Sequence, residues 1–259
     1  MRFLGIDFSG ASDAGKKIWI AEGIEDGGRL VVETLRPASE LRDSGADRAI
    51  ALRALVGHIA DLGPAVVGID APNSLPRQLA PQGWGPWFKG FAAAHASAEG
   101  FREACRSATG GRESKRACDV TAKTPFAAWN LRLYRQTWHS LIDLYAPLVR
   151  CKAVTVAPFQ RADGQRPRLA EICPASTLKH LGLYGSYKGR KLVDQRRRLL
   201  REMTGRANLQ FGGRLRDRAI EDQGGDALDA VIALAAAVRC RRQIEKHDAR
   251  SEGEVYVWA

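Results

Sequence analysis

The chain has 259 residues, of which 45% are hydrophobic and 27% are charged, proportions typical of a folded globular protein and not of a disordered one. Lys and Arg number 40 against 29 Asp and Glu, for a formal net charge of +11. This surplus favours a polyanionic partner such as DNA or RNA, although the basic surface of a soluble enzyme fits it equally well. The five cysteines include no CxxC pair, which argues against both a disulfide framework and a zinc site.

The first residues and the length of the apolar runs indicate the cellular compartment of the protein. Asp7 interrupts the apolar core that a signal peptide would need. The longest apolar run, residues 230–238, is too short to span a bilayer. We therefore expect a cytoplasmic protein that does not associate with membranes. No feature of the sequence indicates an oligomeric state.

The first 70 residues predict the order β-β-β-α-β. Short apolar runs between polar turns predict three strands joined as two hairpins, at residues 3–8, 17–23 and 29–35. Apolar residues spaced three and four apart predict an amphipathic helix over residues 47–62. The next strand, residues 65–70, follows this crossover helix, so we expect it to lie parallel to an earlier strand.

The rest of the chain adds helices and two or three more strands. Residues 73–150 are interpreted as a helical insertion within a single domain spanning residues 1–259, with helices at 88–108 and 126–148. Beyond the insertion, strands are predicted at 154–159 and 168–173, helices at 175–183, 190–204 and 226–243, and an edge strand at 254–258. The fold class is therefore α/β, with a mixed sheet of order β-β-β-α-β-α-β-α and helices on both faces.

Four aspartates occupy positions where one sheet edge would gather them. Asp7 and Asp70 each end an apolar strand after the same Gly-Ile pair, and Asp226 and Asp229 share the first turn of the last long helix. Burying a carboxylate costs several kcal/mol unless it is paired or bound to a cation. Hard oxygen ligands without His or Cys indicate Mg²⁺ or Mn²⁺. For Asp226 and Asp229, stabilisation of the helix dipole is the alternative explanation.

The element order, with Asp on the first strand, an acidic residue on the fourth and Asp on the last helix, resembles the ribonuclease H-like superfamily. Several segments are similar, more narrowly, to the domain-of-unknown-function 429 family, described as predicted nucleases of that fold. They are Gly5-Ile6-Asp7-Phe8-Ser9-Gly10-Ala11, Gly68-Ile69-Asp70-Ala71-Pro72, Glu171-Ile172-Cys173-Pro174-Ala175-Ser176, Tyr187-Lys188-Gly189 and Asp226-Ala227-Leu228-Asp229-Ala230. The resemblance implies a fold and a predicted nuclease site, without a defined substrate.

In a divalent-metal-dependent nuclease, the aspartates would hold two metal ions that activate water and stabilise the leaving oxygen. The expected ligands are Asp7, Asp70, Asp226 and Asp229. Glu171 is a candidate as a further ligand or as a base behind the ligands. An ion pair with a neighbouring Arg or Lys is the equal alternative for Glu171.

Basic and aromatic residues supply candidates for substrate contact. Residues 188–218 hold eleven Lys or Arg and three acidic residues, a concentration that favours polyanion binding over an ordinary solvated helix face. The candidates for contact with phosphate are Ser9, Lys188, Lys191, Arg198 and Arg201, the last three predicted to share one helix face.

Aromatic rings are a second group of candidates: Trp84, Trp87 and Phe88 either stack on bases or anchor the helical insertion. Lys115, Arg116 and Asp119 are further residues that a loop would bring towards the site.

Two other functions fit parts of the pattern. An actin-like ATPase or phosphotransferase would use Ser9 and its neighbours as a first phosphate turn. It would also need a second such turn after residue 70, where Pro72 lacks a backbone donor. A non-catalytic nucleic-acid-binding protein would keep the basic stretch and tolerate loss of the carboxylates.

Overall fold

A mixed sheet of seven strands runs through the centre of the protein, in the order β5-β6-β4-β1-β2-β3-β7. The computed structural model describes residues 1–247 and 252–259. The strands are β1 Arg2–Asp7, β2 Trp19–Asp26, β3 Arg29–Pro37, β4 Ala65–Asp70, β5 Thr155–Val156, β6 Arg168–Glu171 and β7 Leu209–Phe211. The predicted mixed α/β sheet is confirmed.

The pairing of the strands follows the hairpin and crossover signals of the sequence. β1, β2 and β3 form two successive antiparallel pairs. β4 lies parallel to β1, and β6 lies parallel to β4. The C-terminal ends of β1, β4 and β6 therefore meet at one edge of the sheet, where ligand sites of α/β proteins form.

Helices cover both faces of this sheet. They are α1 Ala14–Lys17, α2 Arg48–Ala60, α3 Trp84–Ala94, α4 Ala98–Ala108, α5 Ala117–Ala122, α6 Tyr134–His139, α7 Ala146–Arg150, α8 Pro174–His180, α9 Val193–Ala207, α10 Leu215–Glu221, α11 Asp226–Arg239 and α12 Arg241–Ile244. One core packs α2 and the helices from the segment 73–150 against one face, and the other packs α9, α10 and α11 against the opposite face. In the described part of the chain, no helix combines the length and apolarity needed to cross a membrane.

Segment 73–150 departs from the predicted pair of long helices. The first breaks at residues 95–97, where the Oγ of Ser97 accepts a hydrogen bond from the N–H of Gly100 and starts α4. The second begins only at Tyr134, because the carboxylate of Glu113 holds residues 127–130 in turns. From Tyr134 the chain continues through a wide helical turn, Ser140–Tyr145, into α7.

Three further differences lie in the second half. The sequence pattern did not predict the short strand β7 or the helix α10 behind it. The predicted edge strand at 254–258 is reduced to one parallel bridge between Ile172 and Tyr256. Short helices and strands contain too few residues for a periodic pattern of apolar side chains to distinguish them from loops. Tertiary contacts determine their conformation instead.

Helix α11 lies directly on the backbone of β1. A Cβ atom on Gly5 would fall 2.1 Å from the backbone nitrogen of Leu234 and 2.2 Å from the carbonyl oxygen of Ala230. Both are backbone atoms of α11, so neither can turn aside. The absence of a side chain at Gly5 thus sets how closely the helix and the strand approach.

We predict that Gly5→Ala lowers the free energy of unfolding by about 1–3 kcal/mol or more, because it forces the helix away from the sheet. Gly57→Ala is the matched control, since a Cβ there meets no atom within 4 Å and the residue lies inside α2. This second change should raise stability by up to about 1 kcal/mol. Urea denaturation of both variants measures the difference, and equal effects would contradict the packing argument.

Candidate active site

Asp7 and Asp70 are direct neighbours across the parallel strands β1 and β4. The register places Gly5 opposite Gly68, Ile6 opposite Ile69 and Asp7 opposite Asp70. Successive residues of a strand point to opposite faces, so residues opposite each other in register present their side chains to the same side. The two carboxylates therefore emerge together at the end of the sheet.

The last long helix brings two more carboxylates to this edge. Asp226 and Asp229 lie in the first turn of α11, and their side chains are 19% and 4% exposed. A cavity of about 320 Å³ opens over the cluster. Its walls include Asp7, Asp70, Asp226, Glu171 and Lys188.

Burial and mutual repulsion disfavour the charged state of these carboxyl groups. Burial, followed by the charge of Asp229, raises the pKa of Asp7 well above its ordinary range. The same two causes raise the pKa of Asp70 to about 8. Burial is also the main cause of the raised pKa of Asp226. A further cation beside these carboxyl groups would therefore favour their ionised forms.

Lys188 is the cation that the protein itself supplies to the cluster. Its Nζ lies 2.6 Å from Oδ2 of Asp229 and 3.3 Å from Oδ1 of Asp226. Tyr187 donates its hydroxyl to the other oxygen of Asp229, at 2.5 Å. Lys188 was expected to contact substrate phosphate, whereas its ammonium group already bonds to carboxylates. Tyr187 was not predicted as a site residue, and its only signal was its place in the Tyr-Lys-Gly segment.

Arg196 holds the Tyr187–Gly189 loop from behind. This side chain is only 1% exposed. Its Nη1 donates to the carbonyl oxygens of Tyr187 and Gly189, and its Nε donates to that of Ile220. One arginine of the basic stretch therefore has a structural role inside the protein.

Glu171 takes part in a buried ion-pair network, which was one of its two predicted roles. Its Oε1 lies 2.5 Å from Nη2 of Arg116, and its Oε2 lies 2.7 Å from Nη1. Asp119 accepts two more bonds from the same guanidinium, at 2.7 and 2.9 Å. The backbone N–H of Asn73 also donates to Glu171. Both oxygens of Glu171 are thus committed within the protein, as are both oxygens of Asp229, which leaves Asp7, Asp70 and Asp226 as the more open carboxylates.

The remaining predicted contacts divide between the cavity and the surface. Ser9 lines the cavity. Lys191 lies outside α9, because the helix begins only at Val193, so the predicted shared face with Arg198 and Arg201 is wrong for that residue. Arg198 and Arg201 are exposed on α9, and the cavity lining does not include them.

The aromatic residues pack within the protein. Trp84 and Trp87 are buried, and the ring of Trp84 stacks on both Phe88 and Phe159 at 4.7 and 4.5 Å. The proposal that these rings stack on bases is therefore wrong, and they anchor the helical segment instead. The ammonium of Lys115 donates to the carbonyl oxygen of Thr124, so this residue braces a loop.

Gln136 and Lys17 are polar residues of the cavity lining that were not predicted. Gln136 lines it and donates its Nε2 to the backbone carbonyl of Asp70 at 2.5 Å. Lys17, at the end of α1, is an exposed cation on the same wall. Gln136 lies in a stretch whose periodicity suggested only packing, and no local pattern marks either residue.

We predict that Asp70→Asn stabilises the metal-free protein, and more so at high pH. The pKa of Asp70 rises from 3.8 to about 8 on folding, so its stabilising contribution is complete below pH 3.8 and is lost as the pH rises through about 8. Asparagine does not titrate and removes this loss. Thermal melting in EDTA should show a gain in Tm that grows from pH 5 to pH 8.5. Parallel melting curves across that range would contradict the assignment.

We predict that Arg116→Ala lowers the free energy of unfolding by about 3–5 kcal/mol, because it leaves the buried charges of Glu171 and Asp119 without a partner. Arg106→Ala removes an exposed ion pair with Glu103 and should cost less than about 1 kcal/mol. Urea titrations of the two variants compare these costs. A small loss for Arg116→Ala would show that the network is dispensable.

The sheet order, the parallel pairing of β1 with β4 and the helices on both faces define a mixed α/β protein. A family model described as a protein of unknown function, DUF429, matches residues 5–246. The chain belongs to this family. No curated protein matches it.

A solved structure, that of the yeast mitochondrial Holliday junction resolvase Ydc2, resembles the chain with a TM-score of 0.43 and 12% sequence identity. The alignment covers 94% of this chain and 81% of the resolvase.

Proposed function

We propose that the protein is a divalent-metal-dependent nuclease that hydrolyses phosphodiester bonds. The observation that supports this most is the pairing of Asp7 with Asp70 in register at the sheet edge, beneath a cavity that Asp226 also lines. Three carboxylates with raised pKa values converge there. Displaced pKa values in an open cavity are typical of catalytic and metal-binding groups.

The donor chemistry fits Mg²⁺ or Mn²⁺. Both ions prefer carboxylate oxygens, and a bound cation would offset the burial and the repulsion that raise these pKa values. Within residues 1–247 and 252–259, no group of three or more His, Cys, Asp or Glu side chains stands in an arrangement that could hold a metal ion. Since Lys188 already engages Asp226 and Asp229, we infer that binding requires the carboxylates to rearrange. Asp7, Asp70 and Asp226 would be the holding residues.

The metal would supply polarisation of the phosphate and activation of water. The protein's own residues would position the substrate around it. Ser9 and Lys17 stand on the cavity wall, where a hydroxyl and an ammonium would contact non-bridging phosphate oxygens. The side chain of Gln136 donates a hydrogen bond to the backbone carbonyl of Asp70, which would fix the position of the Asp70 carboxylate at the end of β4.

A nucleic acid is the substrate class that the charge distribution favours. The formal net charge is +11, and Arg198 and Arg201 project from an exposed face of α9. Exposed arginines and lysines hold nucleic-acid phosphates without reading sequence. We propose that this face guides the backbone of DNA or RNA towards the cavity.

We predict that cleavage requires Mn²⁺ or Mg²⁺ and falls at least 100-fold in Asp7→Asn and in Asp226→Asn, roughly the loss expected when a metal ligand is removed. Single-stranded, duplex and branched DNA and RNA should each be tested with and without EDTA. Isothermal titration with Mn²⁺ should show weaker binding to Asp7→Asn than to the wild type.

Asp61→Asn is the matched control, because this carboxylate is exposed at the end of α2. It should cleave and bind Mn²⁺ as the wild type does. Cleavage that survives both active-site changes, or equal Mn²⁺ binding in wild type and Asp7→Asn, would overturn the proposal. Salt-dependent binding without cleavage would point to a non-catalytic nucleic-acid-binding protein.

A further inference from the structure

We propose that Lys188 takes the place of a second metal ion, so that the site binds one divalent cation and not two. The inference rests on the proposed nuclease function and concerns which carboxylates bind the metal ion and which bind Lys188. Lys188 and Tyr187 would hold Asp229, and a single ion would bind at Asp7, Asp70 and Asp226. A two-metal site had been expected from the sequence.

The first support is that Asp229 has no free oxygen. Its Oδ1 accepts the hydroxyl of Tyr187 at 2.5 Å, and its Oδ2 lies 2.6 Å from the ammonium of Lys188. The side chain is 4% exposed, which leaves little room for a further ligand. Asp7 and Asp70 differ, because no protein cation lies within ion-pair distance of either in the described residues.

The second support is that the loop carrying the ammonium is fixed. The buried Arg196 bonds to the carbonyl oxygens on both sides of Lys188. The N–H of Gly189 donates to the carbonyl of Gln223 at 2.7 Å. Gly225, with φ of +76°, leaves only enough space for the Lys188 stem, since a Cβ there would lie 3.0 Å from Cγ of Lys188. The backbone on both sides of Lys188 is therefore fixed, and its half-exposed side chain reaches Asp229 from a rigid loop.

The third support is charge. The four aspartates carry at most four negative charges, and Lys188 contributes one positive charge. One divalent ion together with Lys188 leaves one negative charge, and two divalent ions together with Lys188 would leave one positive charge. Like charges held a few ångströms apart in a partly buried site repel strongly, so Lys188 disfavours the second ion.

Isothermal titration with Mn²⁺ tests the stoichiometry. The wild type should bind one ion per chain, and Lys188→Met should bind two. Lys89→Met, an exposed lysine on α3, is the matched control and should bind one. Two ions in the wild type, or one ion in a folded Lys188→Met, would overturn the inference. A wild type that binds no Mn²⁺ would instead overturn the proposed nuclease function.

A second measurement uses the wild type and so remains decisive if Lys188→Met does not fold. Reductive methylation with formaldehyde and a borohydride, followed by mass spectrometry, reports which ammonium groups are free. Because Lys188 is half exposed but ion-paired, it should be modified more slowly than Lys89, and to the same extent with and without Mg²⁺. Modification of Lys188 that increases at least several-fold on adding Mg²⁺ would show that the ion displaces it, and would overturn the inference.

Discussion

The contact between α11 and the glycine-containing centre of the sheet brings the aspartates of the helix to the aspartates of the strands. Gly5 on β1 and Gly68 on β4 stand side by side in the register, and α11 crosses them with small residues. At Gly68, a Cβ would lie 3.1 Å from the carbonyl oxygen of Ala233 and 3.3 Å from the Cβ of Ala237. Because the helix sits this close, its first turn reaches the ends of both strands. The aspartates of α11 and those of the strands thereby become neighbours across more than 150 residues of sequence.

The parts of the site that could be predicted from the sequence are those that a local pattern of residues marks. The strands ending at Asp7 and Asp70 were predictable, because an apolar run that ends in a carboxylate is a local signal. Their adjacency followed from the handedness and direction of the crossover through α2. The start of α11 at Asp226 was marked by the preceding Gly-Gly pair. In these cases the prediction needed only the spacing of apolar residues, the residues typical of turns and the rule that crossover connections are right-handed.

Other features depend on partners that are distant in sequence and leave no periodic trace. The ion pair of Glu171 was one of two possibilities until Arg116, 55 residues earlier, could be placed beside it. A basic segment likewise does not reveal which of its members turn inward. Arg196 is buried, the half-exposed Lys188 pairs with Asp229, and Arg198 stays at the surface. Charge counts predict a preference for polyanions, and only the tertiary structure separates a structural cation from a binding one.

The Arg116 network has a consequence for how the cavity is assembled. One guanidinium joins α5, the end of β6 and the segment that follows β4, where the hydroxyl of Ser74 accepts a further bond at 2.8 Å. Separating any one of these parts would leave a buried charge without its counterpart. We therefore expect this wall to open as one cooperative unit. In hydrogen exchange, the amides of α5 and β6 should belong to one slow-opening group, although residues 123–167 separate them in the chain.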